Sequence, residues 1–133
     1  MTDREALLAF RMREAAETLA DAERMLESGL SPRSISNRAY YAMFYAVLAL
    51  FLKSDIDLRT SKHAGVISIF DKDFVHTGKL DTRLSKILHK TFEARQTIDY
   101  KEMVDVTAQE AVVHVQGARE FVAGISKFIS AAA

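Results

Sequence analysis

The sequence predicts an all-α fold: an antiparallel, up-and-down bundle of four long helices, the third of them split. Three observations predict it. Apolar residues recur at spacings of three and four along most of the 133 residues, the period of one helix face. No alternating strand pattern competes; Val66-Ile67-Ser68-Ile69-Phe70 has strand propensity but lies inside a helical pattern. The breakers Gly29, Pro32 and Gly78 fall between periodic blocks. The length allows one domain over residues 1–133, with a core from about 5 to 128.

The first helix is expected over Arg4 to Ser28, where Leu8, Met12, Ala15, Leu19, Ala22 and Leu26 make one apolar stripe. Gly29 is placed to end it, and Ser31-Pro32 reads as an N-cap followed by proline at the first helical position. The link is tight, so the first two helices are antiparallel neighbours. The second helix, Pro32 to Lys53, is apolar on every side beyond Arg38. Such a helix is central to a bundle or lies at a subunit interface. The third helix is broken at Gly78. Thr60 or Ser61 is the expected cap of its first half, with His63, Ile67, Phe70 and Phe74 on one face. Its second half runs from about Leu80 to Ile98, with Leu84, Leu88 and Phe92 inward and Arg83, Lys86 and Lys90 as a basic stripe. The fourth begins with Thr107-Ala108-Gln109-Glu110, a capping box. Ala111, Val115, Ala118, Val122, Ile125 and Ile129 form its main stripe, and Gly117, Phe121, Gly124 and Phe128 a second face that admits another helix closely.

Composition narrows the function. Eighteen Lys and Arg cancel eighteen Asp and Glu. That balance argues against a basic domain gripping long duplex DNA. With no cysteine there is no disulfide framework and no thiolate chemistry. His63, His76, His89 and His114 do not pair at metal-ligand spacing, so no metal and no cofactor is expected. There is no P-loop, no dinucleotide-binding turn and no nucleophile elbow. The longest uncharged run, Ala39 to Leu52, has fourteen residues, whereas a membrane span needs ~20. No membrane association is expected, and a cytoplasmic location is.

Three segments carry candidate chemistry. On the second helix Asn37, Arg38 and Tyr41 share a polar and aromatic face. A guanidinium at the start of a buried helix must be ion-paired, stacked or bound to an anion. Lys62 and His63 stand at a helix N-terminus, where backbone N–H groups also favour a phosphate. Arg95 and Asp99 form an i, i+4 pair at a helix end, followed by Tyr100. A local salt bridge explains that pair as well as a site does.

Taken together, Asn37-Arg38-Ala39-Tyr40-Tyr41-Ala42-Met43-Phe44-Tyr45, Lys62-His63-Ala64-Gly65-Val66-Ile67, Phe74-Val75-His76-Thr77-Gly78 and Phe92-Glu93-Ala94-Arg95-Gln96 with Asp99-Tyr100 resemble the HEPN family, the higher eukaryotes and prokaryotes nucleotide-binding domain, in its small stand-alone branch. The resemblance implies a helical bundle, usually a homodimer, often encoded beside a minimal nucleotidyltransferase in a toxin–antitoxin or defence pair. Several family members are metal-independent RNases with an Arg-x4–6-His motif. Arg95 matches that arginine, but Asp99 and Tyr100 stand where the histidine belongs. Carboxylate and phenol replace an imidazole poorly in proton transfer near neutrality. Arg83 and His89 match the spacing literally but lie mid-helix.

The expected function is therefore binding of a nucleotide, an RNA phosphate or a nucleotidyltransferase partner, through Asn37, Arg38, Tyr41, Lys62, His63, Arg95, Asp99 and Tyr100. Two rivals stand beside it. One is a divergent RNase using Arg95 with Tyr100, Asp99 or His63; the other is a structural interaction module whose motif residues are ion-paired core. The first reading requires Arg38 and Arg95 to meet in one cleft.

Overall fold

The structure is a computed structural model that describes residues 2–60, 62–100 and 105–131; the side chains of 97–100 are outside that description. Its helices are α1 (Asp3–Glu27), α2 (Pro32–Lys53), α3 (His63–Phe70), α4 (Thr82–Tyr100) and α5 (Ala108–Ala131), with a π-helical turn over Asp71–Val75 that continues α3. Among the described residues there is no strand. The chain is an all-α helical bundle, and α3 with α4 forms the split third element.

The helix ends follow local chemistry. Thr2 caps α1 by accepting from the Glu5 N–H at 3.1 Å. At its other end Gly29 takes φ 71°, while Leu30 N–H bonds the Met25 carbonyl at 3.0 Å, the six-to-one closure of a Schellman turn. α2 ends the same way: Asp55 takes φ 58° and Ile56 N–H bonds the Phe51 carbonyl at 3.0 Å. Ser31 caps α2 and Pro32 opens it. The capping box of α5 closes in both directions, Thr107 N–H to Glu110 at 3.0 Å and Glu110 N–H to Thr107 Oγ1 at 3.1 Å.

The start of α3 differs from expectation. Lys62 occupies the cap position and makes no side-chain capping bond. The Thr60 hydroxyl instead accepts from the Lys62 N–H at 3.2 Å, and its side chain packs against Gly65, where a Cβ would come within 2.8 Å. Thr60 is thus committed to the turn before the helix. Ser61, the other expected cap, lies outside the described residues.

α2 is the centre of the bundle. Ala39, Tyr40, Ala42, Met43, Ala46, Ala49 and Leu50 have no exposed surface, and α1, α4 and α5 pack around it. Among the described residues it alone is long and apolar enough to cross a membrane, but most of that apolar window is buried inside the bundle, as in a core helix. α4 lies close on α5 because Gly117 and Gly124 face it: a Cβ at Gly117 would stand 2.9 Å from Ile87, and one at Gly124 3.2 Å from Leu84. Most of α2 is thus buried inside the bundle, and the second face of α5 meets α4 at Gly117 and Gly124.

Asp71 opens the π turn. Its carboxylate accepts from the Ser85 hydroxyl at 2.7 Å and is bonded to His89 Nε2, fastening the turn to α4. Gly78, at φ 78°, then reverses the chain.

Candidate functional site

The site is built on α2. A helix that carries aromatic residues at consecutive positions aims them at different neighbours. Tyr40 points into the core and has no exposed surface. Tyr41, one position on, is half-buried and stands edge-on to it, ring centroids 5.3 Å apart.

α3 brings His63 onto this aromatic face. The imidazole stacks on Phe44 at 4.2 Å between centroids, and its Nδ1 lies 2.8 Å from the Tyr40 hydroxyl. α4 brings Arg95. Its Nη2 donates to the Tyr41 hydroxyl at 3.1 Å, and its guanidinium carbon is 5.3 Å from the ring centroids of both Tyr40 and Tyr41. Arg38 approaches the same ring, its guanidinium carbon 5.3 Å from the Tyr41 centroid, while its Nη2 donates to Asn37 Oδ1 at 3.1 Å. Both arginines therefore contact one tyrosine, and their guanidinium carbons lie within twice that 5.3 Å distance of each other.

Burial and charge set the protonation states. Burial pushes the Tyr40 phenol well above the usual tyrosine range, against the opposing pull of Arg95. Burial also lowers the His63 pKa, and the neighbouring Arg95 charge lowers it further. The imidazole is thus neutral at pH 7. Among the described residues the Tyr40 hydroxyl has no acceptor other than His63 Nδ1. It donates to that nitrogen, which leaves the ring proton on Nε2.

Of the eight residues expected from the sequence, Asn37, Arg38, Tyr41, His63 and Arg95 come together. Lys62 is exposed at the cap of α3, and among the described residues nothing ties its ammonium to the cluster. The side chains of Asp99 and Tyr100 lie outside the described residues. Tyr40 joins the cluster as the residue that orients His63; its apolar-face position disguised this. Arg83 and His89 are parted, Arg83 pairing with Glu120 on α5 and His89 with Asp71 on the π turn. The site thus concentrates cationic and neutral donors around an aromatic ring, an arrangement suited to an anion that also stacks.

Residues 8–127 match the HEPN domain family. The chain belongs to that family. It is 36% identical over 129 residues to a "UPF0332 protein" of Thermotoga maritima, covering 97% of this chain and 96% of that one. It is also similar to two Methanocaldococcus jannaschii proteins, each named "Putative toxin". One is 35% identical over 97 residues, 73% of this chain and 64% of that protein. The other is 34% identical over 113 residues, 85% and 81% respectively. The HEPN match covers both the aromatic face of α2 and Arg95 on α4.

Proposed function

We propose that this HEPN protein is one component of a toxin–antitoxin pair and that it holds a nucleotide or RNA phosphate between Arg38 and Arg95. The observation that carries the binding reading is the pair of guanidinium groups gathered on Tyr41, with the neutral His63 imidazole beside them. Guanidinium groups match phosphate oxygens in geometry and charge, and a tyrosine face takes a base by stacking. The names of the M. jannaschii relatives support the paired-system reading. A cytoplasmic homodimer with a minimal nucleotidyltransferase partner fits the same reading; the exposed Leu7 and Phe10 on α1 offer surface for such contacts.

The Tyr40 hydroxyl occupies Nδ1 of His63 and leaves Nε2 as the ring nitrogen that can meet a ligand.

Fluorescence anisotropy with a labelled single-stranded RNA and with a labelled nucleotide tests the proposal. Arg38→Ala and Arg95→Ala each weaken binding about tenfold, the worth of one charge-assisted hydrogen bond. If Arg38→Ala lowers stability yet binds like wild type, the cluster is structural. Chelator-resistant RNA cleavage by wild type, lost in Arg95→Ala, would replace the binding reading with an RNase.

A further inference from the structure

A groove of about 320 Å³ lies between α4 and α5, and no residue of the Arg38–Arg95 cluster lines it. Its rim carries Lys86 and Lys90, one helical turn apart and both exposed. Neither is ion-paired among the described residues, whereas the third cation of the stripe, Arg83, is engaged by Glu120 at one end of the groove. Ile87 and Val113 supply apolar wall, and Val113 remains 41% exposed despite its size.

The groove is also lined by His114, a residue only 3% exposed. Its Nδ1 is 2.7 Å from the Ser36 hydroxyl on α2. That hydroxyl has no other acceptor among the described residues, so it donates to Nδ1 and leaves the proton on Nε2. Burial, and the nearby Lys90 charge, keep the ring neutral even though Glu110 pulls the other way. A buried neutral donor is thus held in the wall of the groove whose rim carries Lys86 and Lys90.

We propose that this groove is a second binding site, for a small phosphate ester such as a nucleoside monophosphate. Lys86, Lys90 and His114 Nε2 hold the phosphate, and the body of the ligand lies on Ile87 and Val113. The volume falls within the range of small-molecule sites, with few polar groups on an apolar wall. Gly117 keeps the floor low, since a Cβ there would press on Ile87. This site stands independently of the Arg38–Arg95 cluster.

Amide chemical-shift mapping on the full chain, titrated with inorganic phosphate, adenosine and adenosine monophosphate, tests it. The expected result is saturable shifts at Val113–Gly117 and at the His114 ring with adenosine monophosphate, weaker ones with phosphate and weakest with adenosine. Lys86→Glu/Lys90→Glu, two exposed changes, weakens the monophosphate about tenfold or more. Lys53→Glu/Lys127→Glu, the same charge change elsewhere, leaves it unaltered. The proposal is overturned by shifts confined to the lysines and erased by salt, by shifts only around Arg38 and Tyr41, by equal response to adenosine, or by no saturable shift at millimolar ligand. The second of these would leave the Arg38–Arg95 reading standing.

Discussion

The Tyr40 hydroxyl sits 2.8 Å from Nδ1 of His63, joining the middle of α2 to the first residue of α3. The bond fixes the rotation of an imidazole that otherwise has only ring stacking to orient it. Tyr40→Phe keeps the packing and removes the donor. It should cost about 1 kcal/mol, the usual net worth of one hydrogen bond, read as a lower denaturant midpoint at unchanged slope. An unaltered midpoint would show that the bond contributes nothing.

Stability should fall as the medium turns acidic. His63 and His114 both have folded pKa values below the ordinary 6.5, chiefly through burial. As pH drops through about 6.5 the unfolded chain takes up protons that the folded chain still refuses, so the unfolded state gains. The urea midpoint should be lower at pH 5.5 than at pH 7.5. His114→Gln should flatten that difference, and a profile equally steep in the variant would count against the assignment.

Tyr41→Phe separates two roles of one ring. The face that Arg38 and Arg95 share remains, but the hydroxyl that accepts from Arg95 at 3.1 Å is lost. Affinity for the labelled RNA should drop several-fold, about 0.5–1.5 kcal/mol, with thermal stability nearly unchanged. Undiminished affinity would mean that the hydroxyl does not position Arg95 for the ligand.

The two glycines of α5 should respond oppositely to alanine. At Gly117 the new Cβ meets Ile87 Cγ2 at 2.9 Å, and a β-branched side chain has little room to turn. Overpacking there costs about 1–3 kcal/mol. At Gly124 the nearest atom is Leu84 Cδ1, at 3.2 Å, the far end of a flexible chain. Helix propensity then favours alanine by up to about 1 kcal/mol. Paired denaturation curves check the sign of each.

Asp55 occupies in the α2 turn the place that Gly29 holds after α1, with φ 58°. A left-handed conformation costs a non-glycine residue about 1–2 kcal/mol, and a carboxylate at a helix C-terminus is unfavourable. Asp55→Gly should therefore stabilise the protein by about 1 kcal/mol, even though it removes the exposed 2.6 Å pair with Arg4. A lower melting temperature would show that the Arg4 pair outweighs the strain.

What the sequence revealed was local. The stripe of Ala111, Val115, Ala118, Val122 and Ile125 is buried as its spacing implies, and Thr107 with Glu110 forms the reciprocal cap. Arg38 could be singled out because a guanidinium at the start of a buried aromatic helix needs a reason, and Arg95 because it matches the family's arginine. Contacts between distant residues were legible only where the family resemblance grouped them, as for Arg38 and Arg95 on Tyr41. Nothing in the spacing of Ser36 and His114, 78 residues apart, announces their bond. The Tyr40 ring is fully buried, yet it meets Arg95 and its hydroxyl meets His63, a role its place on the helix does not announce. Thr60 does not cap α3 because its hydroxyl closes the turn to Lys62 and its methyl packs on Gly65, a competing local use of the same side chain.

The π turn at Asp71–Val75 has a consequence for length variation along this lineage. A π turn holds one residue more than the α turn it replaces, so it is a helix that has absorbed a single-residue insertion. Removing one residue there would restore regular α geometry and rotate everything before it by about 100° relative to everything after. Either the Asp71 clamp on Ser85 and His89 would be lost, or Phe74 and Val75 would turn out of the core. A homologue one residue shorter at this point must therefore have changed its clamp, its core or both.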